Sequence, residues 1–245
     1  MNRSDSSQGG ASNHIKKVTK WEIPQESTGA VLLTMPNIPN PLFGLNPRGL
    51  LGATEWNKMR SQCLHDADYK CEACGKALEP KHLQAHELYA YNYADGVARF
   101  QRCVCLCDTC HKGIHSGRTL SEYKDGLLSR ERLLAIIENA YKLICRHNST
   151  HRNSEPLRAY LSFRKCINDP DLHDDYLALE KKYGIEFYKE DVRRTADRRN
   201  WYLVVRGASF QPYSIEELAL RYARAKRNRQ RSNTFAYQPS YMREV

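Results

Sequence analysis

Between Cys71 and His115 the chain gathers side chains that bind ions and activate water: Cys71-Glu-Ala-Cys74, then Leu83-Gln-Ala-His86-Glu87, then Cys107-Asp-Thr-Cys110-His111-Lys-Gly-Ile-His115. A Cys-x-x-Cys step sets two thiolates close enough to grip one ion, and two such steps complete the tetrahedral sulfur shell that zinc favours. Cys71, Cys74, Cys107 and Cys110 are therefore expected to hold a structural zinc ion. A second ligand set is made of imidazoles. His111 and His115 stand one helical turn apart on one face, and His86 offers a third nitrogen. Beside it, Glu87 is a carboxylate free to act on a water. One segment can thus carry a structural metal and a hydrolytic centre.

The elements that must position these groups are legible around them. The interval from Cys74 to Cys107 is longer than the about 15–20 residues of a compact zinc ribbon, so a folded element loops out between the two knuckles. Residues 83–93 and 97–106 are rich in aromatic and β-branched side chains, and Asp95-Gly96 separates them, which predicts a β-hairpin. Tyr89, Tyr91 and Tyr93 alternate along it as an apolar face. Period-two alternation places His82 and His86 on one face and Glu87 on the other unless a bulge intervenes. After the hairpin, Asp108 is suited to cap the short helix that bears His111 and His115.

Strand, strand and helix around a metal, carried by Leu83-Gln-Ala-His86-Glu87-Leu88 and Cys107-x-x-Cys110-His111-x-x-x-His115, resemble the HNH endonucleases of the ββα-metal or His-Me finger superfamily. The chain is similar in particular to phage and bacterial members with a His-Glu motif and a four-cysteine zinc site. Trp56, Arg60, Cys71-Glu72-x-Cys74-Gly75 and Gly117-Arg118 extend the likeness over residues 54–118. It implies a catalytic divalent ion on His86, His111 and His115, with Glu87 where many relatives have the general-base histidine. The family's base-orienting Asn or His falls near Arg102 or Cys103, so the base is left open between Glu87, another histidine such as His82, and a role for Glu87 in positioning water. Also implied is hydrolysis of phosphodiester bonds in DNA, with Mg2+, Mn2+, Ni2+ or Zn2+ as the catalytic ion. Three imidazoles favour Mn2+, Ni2+ or Zn2+ on softness. Arg118 is a candidate phosphate contact.

The remaining sequence agrees with a polyanion partner. Its 245 residues carry a net charge of +10 and a pI near 9.1, and 41% apolar content permits a core. The nine cysteines show no disulfide framework outside the knuckles, and thiolate ligands suit the cytoplasm, of a bacterium or of a phage host. No apolar signal core and no apolar run of the ~20 residues needed to span a bilayer is present, so neither secretion nor a membrane partner is expected.

The fold class expected is α+β: a ββα-metal core with a four-cysteine zinc site, an extended N-terminal arm and a mostly helical C-terminal region. Residues 1–20 read as disordered and 21–52 as a proline-rich extended arm, with the nuclease module at 53–118 and the helical region at 119–245. Helices are predicted over 54–69, after a Thr119–Glu122 capping box, on to about His147, and over Pro170–Tyr183 with Asp169 as cap and Gly184 as stop. A strand over Trp201–Arg206 follows, then a last helix opened by Ser214-Ile-Glu-Glu217. On that helix Arg221, Arg224, Lys226, Arg227, Arg229 and Arg231 occur with no acid between them, a candidate DNA-binding face. Two rival functions are a non-catalytic zinc-module protein that binds nucleic acid and an RNA-directed nuclease.

Overall fold

The computed structural model describes residues 20–36, 38–159, 163–187, 201–214, 216, 217, 219–221 and 223. Its strands are β1 (Lys20–Trp21), β2 (Leu83–Asn92), β3 (Val97–Cys107), β4 (Tyr202–Val205) and β5 (Ala208–Phe210). Its helices are α1 (Pro47–Asp66), α2 (Asp108–Ile114), α3 (Ser116–Lys124), α4 (Arg130–Thr150) and α5 (His173–Tyr183).

Alternating side chains make β2 and β3 an antiparallel hairpin at the centre of one five-stranded sheet of order β1-β2-β3-β4-β5. The Asn92 carboxamide oxygen nucleates the turn by accepting from the N–H groups of Ala94 and Asp95 at 3.1 and 3.2 Å. Gly96 closes it at φ +66°, where a side chain would be strained. Pairing is regular from Leu83↔Cys107 to Leu88↔Arg102, then skips Gln101 so that Tyr89 faces Phe100. This bulge lies beyond Glu87, so it does not cancel the opposed parity of His86 and Glu87. β4 joins β3 in parallel and β5 joins β4 antiparallel. β1 pairs with β2 only at Trp21↔Tyr91 and Lys20↔Asn92, so among the described residues the outer edge of β2 from Leu83 to Ala90 has no strand partner.

Each sheet face is covered by helix. Trp56, Cys63 and Leu64 of α1 pack on Leu83, Cys103 and Cys105. On the opposite face α2 lies on β2 and β3, and α4, packed on α2 and on the 3-10 turn Gly29–Thr34, adds Leu133, Ile136, Ile137, Tyr141 and Ile144 at helical spacing to the core that holds Leu88, Val104 and Leu106. Ser129 caps α4 by accepting from the Arg132 N–H at 3.2 Å. A 2.8 Å hydrogen bond between the Tyr141 and Tyr176 hydroxyls ties α4 to α5 deep in the interior. Among the described residues no helix is long and apolar enough to cross a membrane.

Several expected boundaries move, each for a local reason. The proline-rich arm is not simply extended: it folds into 3-10 turns at Gly29–Thr34 and Asn40–Leu42, and α1 begins within it at Pro47, capped by the Asn46 side chain on the Gly49 N–H. Gly52, at φ +81° and ψ 169°, breaks α1, so the long helix proper starts just after it. Its end comes at Asp66 rather than residue 69, because Asp68 and Tyr69 turn into the left-handed region. Thr119–Glu122 is no capping box. It lies inside α3, where the Thr119 hydroxyl donates to the Lys112 carbonyl at 2.8 Å. α5 starts at His173, because Asp169 spends its carboxylate on the Asp171 N–H, although Gly184 does end it in a left-handed cap. Residues 1–19 lie outside the described residues.

Ile137 is fully buried at the centre of the α4 stripe. Ile137→Ala should lower unfolding stability by about 2–5 kcal/mol in urea titration, whereas Leu127→Ala, at a side chain 57% exposed, should stay within ~0.5 kcal/mol. Equal effects would mean that α4 does not pack as described.

Candidate metal centres

The two ligand sets distinguished by spacing come together separately. The sulfurs of Cys71, Cys74, Cys107 and Cys110 all lie within 4.8 Å of one another. The Cys74 and Cys107 sulfurs are 3.9 Å apart, close to the about 3.8 Å edge of a tetrahedron with Zn–S bonds of about 2.3 Å. These residues could hold a zinc ion.

Local backbone chemistry brings the thiols there. After α1 the chain folds tightly, with the Cys71 N–H on the Lys76 carbonyl at 2.9 Å and the Gly75 N–H on the Cys71 carbonyl at 2.7 Å. Gly75 takes φ +75° to allow this knuckle. The second knuckle is the junction of β3 with α2. Cys107, not Asp108, is the N-cap: its sulfur accepts from the Cys110 N–H at 3.5 Å, leaving Asp108 in the first helical turn to accept from Gln84 and Arg132. Asn139 of α4 donates to the Cys110 sulfur at 3.5 Å. Glu72, between the first two cysteines, locks the knuckles together: it accepts from the Cys105 N–H at 2.7 Å and pairs with Arg102 at 2.8 Å. The Cys107 thiol, by hydrogen bonding, holds Cys71 well below the ordinary thiol range and brings Cys74 down to about 7, while the same contact pushes Cys110 well above it. Four sulfurs this close cannot all ionise unaided, and a divalent cation among them would allow it.

The imidazoles of His86 on β2, His111 on α2 and His115 at the junction of α2 and α3 form a second cluster. Their ring centroids are 5.3 Å apart for His86–His111, 4.7 Å for His86–His115 and 4.6 Å for His111–His115, with candidate ligand nitrogens within 4.8 Å of one another. Burial, then the charges of His115 and His111, hold His86 well below the ordinary histidine range. Burial likewise lowers His111 to about 3, helped by His115, and His115 to about 4, helped by Arg118. All three present neutral lone pairs, the form that ligates metal. The buried Nδ1 of His86 has no hydrogen-bond partner, a cost that coordination would remove. The group therefore fits a metal ion.

Two openings meet at the cluster, sharing His115. One, of about 40 Å³, touches His86 and Glu87 and is otherwise walled by Trp21, Met35, Pro36, Ile38, Tyr89, Tyr91 and Ile114. It takes residues from both faces of β2, which places it at that strand's unpaired edge. Burial raises the Glu87 carboxyl above its ordinary range, against its own backbone hydrogen bond and Arg48. The other opening, of about 90 Å³, is polar, with Gln84, Asp108, His111, Lys112, Arg118 and Glu122 on its walls. There Lys112 and Arg118 pair with Glu122 at 2.7 and 2.9 Å. Burial works to raise Glu122, but its hydrogen bonds from Lys112 and Arg118 hold it below the usual carboxylate range.

Other expected residues lie elsewhere. Arg102, near the family's base-orienting position, braces the N-terminal segment: it donates to the carbonyls of Gln25, Ser27 and Cys103 as well as pairing with Glu72. Cys103 packs toward α1. His82 is exposed in a 3-10 turn before β2. Arg221 stacks on Tyr213 at 3.7 Å, and the capping pair Ser214–Glu217 forms as expected. Arg224, Lys226, Arg227, Arg229 and Arg231 lie outside the described residues. Spacing gave no sign of Asn139, Glu72 or the unpartnered Tyr89 hydroxyl; a charged residue between two cysteine ligands was the one available cue. Comparison with protein-family models, curated proteins and solved structures gave no match to this chain.

Cys107→Ser removes a sulfur that also caps α2. The variant should lose stoichiometric zinc in elemental analysis and unfold at a markedly lower temperature, since metal-binding energy is folding energy here. Folded, zinc-free wild-type protein at wild-type stability would exclude the assignment.

Proposed function

We propose that this chain is a metal-dependent HNH-type endonuclease that hydrolyses phosphodiester bonds in DNA. One observation carries the reading: three neutral imidazoles, from the first strand of a hairpin and from the helix that follows its second strand, converge at a cavity that the partly buried Glu87 also lines. That is the strand-strand-helix order on which the family resemblance rests, and the sulfur cluster sits at the base of the same hairpin. The net charge of +10 supports a polyanionic substrate, and thiolate ligands support a reducing, cytoplasmic setting.

His86, His111 and His115 would hold a metal ion, which would supply Lewis-acid stabilisation of charge on the phosphoryl group and the leaving oxygen. The chain's own groups do the rest. Glu87 accepts a proton from water as the water oxygen bonds to phosphorus and the ester P–O bond breaks, and the leaving oxygen takes a proton from solvent. Its apolar surroundings make it a stronger base than a solvated glutamate. Lys112 and Arg118 flank the polar opening, and Arg118, 61% exposed, can turn a donor toward a substrate phosphate. The basic residues from Arg221 to Arg231 are the proposed wider DNA contact.

Plasmid cleavage with Mg2+, Mn2+, Ni2+ or Zn2+ tests this. His111→Ala and His115→Ala should each abolish metal-dependent cleavage while zinc content and circular dichroism stay as in wild type. Cleavage by both variants at the wild-type rate would overturn the catalytic-metal assignment. Binding of DNA without cleavage under any ion would favour the non-catalytic zinc module, and selective cleavage of RNA would favour an RNA-directed nuclease.

Glu87 is separable from the ligands. Glu87→Gln should lower the cleavage rate by about 100-fold or more with metal affinity within a few-fold, whereas His86→Ala should lose both. A Glu87→Gln rate near wild type would assign the proton to another acceptor.

A further inference from the structure

The cavity at the free edge of β2 is lined by a tyrosine that the reading above does not use. Tyr89 is only 5% exposed, and its hydroxyl has no hydrogen-bond partner. Its ring is held edge-on to Phe100 at 6.1 Å and tilted against Tyr91 at 5.9 Å, so the position of the hydroxyl is set by packing. A phenylalanine would fill the same apolar space without leaving a buried hydroxyl unsatisfied. Glu87 and Tyr89 are two apart on β2 and therefore project to the same side, and both line the cavity.

The cavity volume of about 40 Å³ exceeds the about 10–15 Å³ that one water needs, and an ordered water needs two to four polar partners. The side chains of Met35 and Ile38 on the same walls offer it none.

We propose that Tyr89 holds a water molecule against the Glu87 carboxylate and is the positioning residue for the water consumed in hydrolysis, an inference that rests on the nuclease reading above. The phenol donates to the water oxygen, and the water donates one proton to Glu87. One lone pair on the oxygen then faces outward to the phosphorus. The geometry restricts the water's orientation before substrate arrives, which lowers the barrier without strengthening substrate binding.

The test is Tyr89→Phe in the full, zinc-loaded chain, read in two ways. High-resolution crystal structures should show a water within hydrogen-bond distance of the Tyr89 hydroxyl in the wild type and none there in the variant. Plasmid cleavage should show kcat reduced about tenfold or more, with KM within twofold and the unfolding temperature equal to or above that of wild type. A purely structural tyrosine would instead lower the unfolding temperature and leave kcat of the folded fraction unchanged. A dry wild-type cavity, or wild-type kcat in Tyr89→Phe, overturns the proposal. Should the wild type cleave nothing, the nuclease reading fails on that count alone, and the crystallographic water still decides whether Tyr89 and Glu87 bind one.

Discussion

The arrangement depends on bringing two distant stretches of chain to one point, the four sulfurs. The first pair follows α1, and the second ends β3 and opens α2, so the cluster closes the hairpin at its open end. Hairpins are marginal alone; an ion held by the four sulfurs would clamp this one at its base, and the Asn92 turn holds its tip. The clamp also fixes where α2 leaves the sheet. Because Cys110 and His111 are adjacent on α2, the same placement that completes the sulfur tetrahedron directs His111 and His115 toward His86 across the hairpin.

The chemistry of the histidine cluster follows from what surrounds it. Packing by the N-terminal segment and α2 strips water from the imidazoles and from Glu87. Desolvation disfavours charge on both, which keeps the imidazoles neutral and makes the carboxylate more basic. The two openings divide the labour by polarity. The apolar one adjoins the carboxylate, and the other collects Lys112 and Arg118 around Glu122. Glu122 keeps those cations near the cluster, and Asp108, 4.0 Å from Lys112, is a second carboxylate on the same walls.

How much of this was legible in the sequence varies with the range of the interaction. Local spacing was enough to gather the four cysteines and the three histidines, and to place the hairpin, its turn and the end of α5 at Gly184. Capping was read less well, because a side chain's partner depends on what lies near it in space. Asp108 seemed the natural cap for α2, but Cys107 of the sulfur cluster took the Cys110 N–H, and Thr119 found the Lys112 carbonyl instead of a helix end. The proline run suggested extension, yet Pro47 is equally suited to a first helical turn, and Asn46 before it decided the matter. Long-range pairs such as Glu72–Arg102, or the parallel pairing of β4 with β3, leave no periodic trace.

Glu72 and Arg102 couple two properties that look unrelated. Arg102 grips the carbonyls of Gln25 and Ser27, a few residues before the stretch that roofs the Glu87 cavity, and its acidic partner stands inside the first Cys-x-x-Cys loop. Order in that loop and order in the segment leading to the roof are therefore coupled through Arg102, and linkage is reciprocal. An ion held by the four sulfurs would thereby brace the roof of the Glu87 cavity as well, and its loss to chelation or thiol oxidation would loosen both.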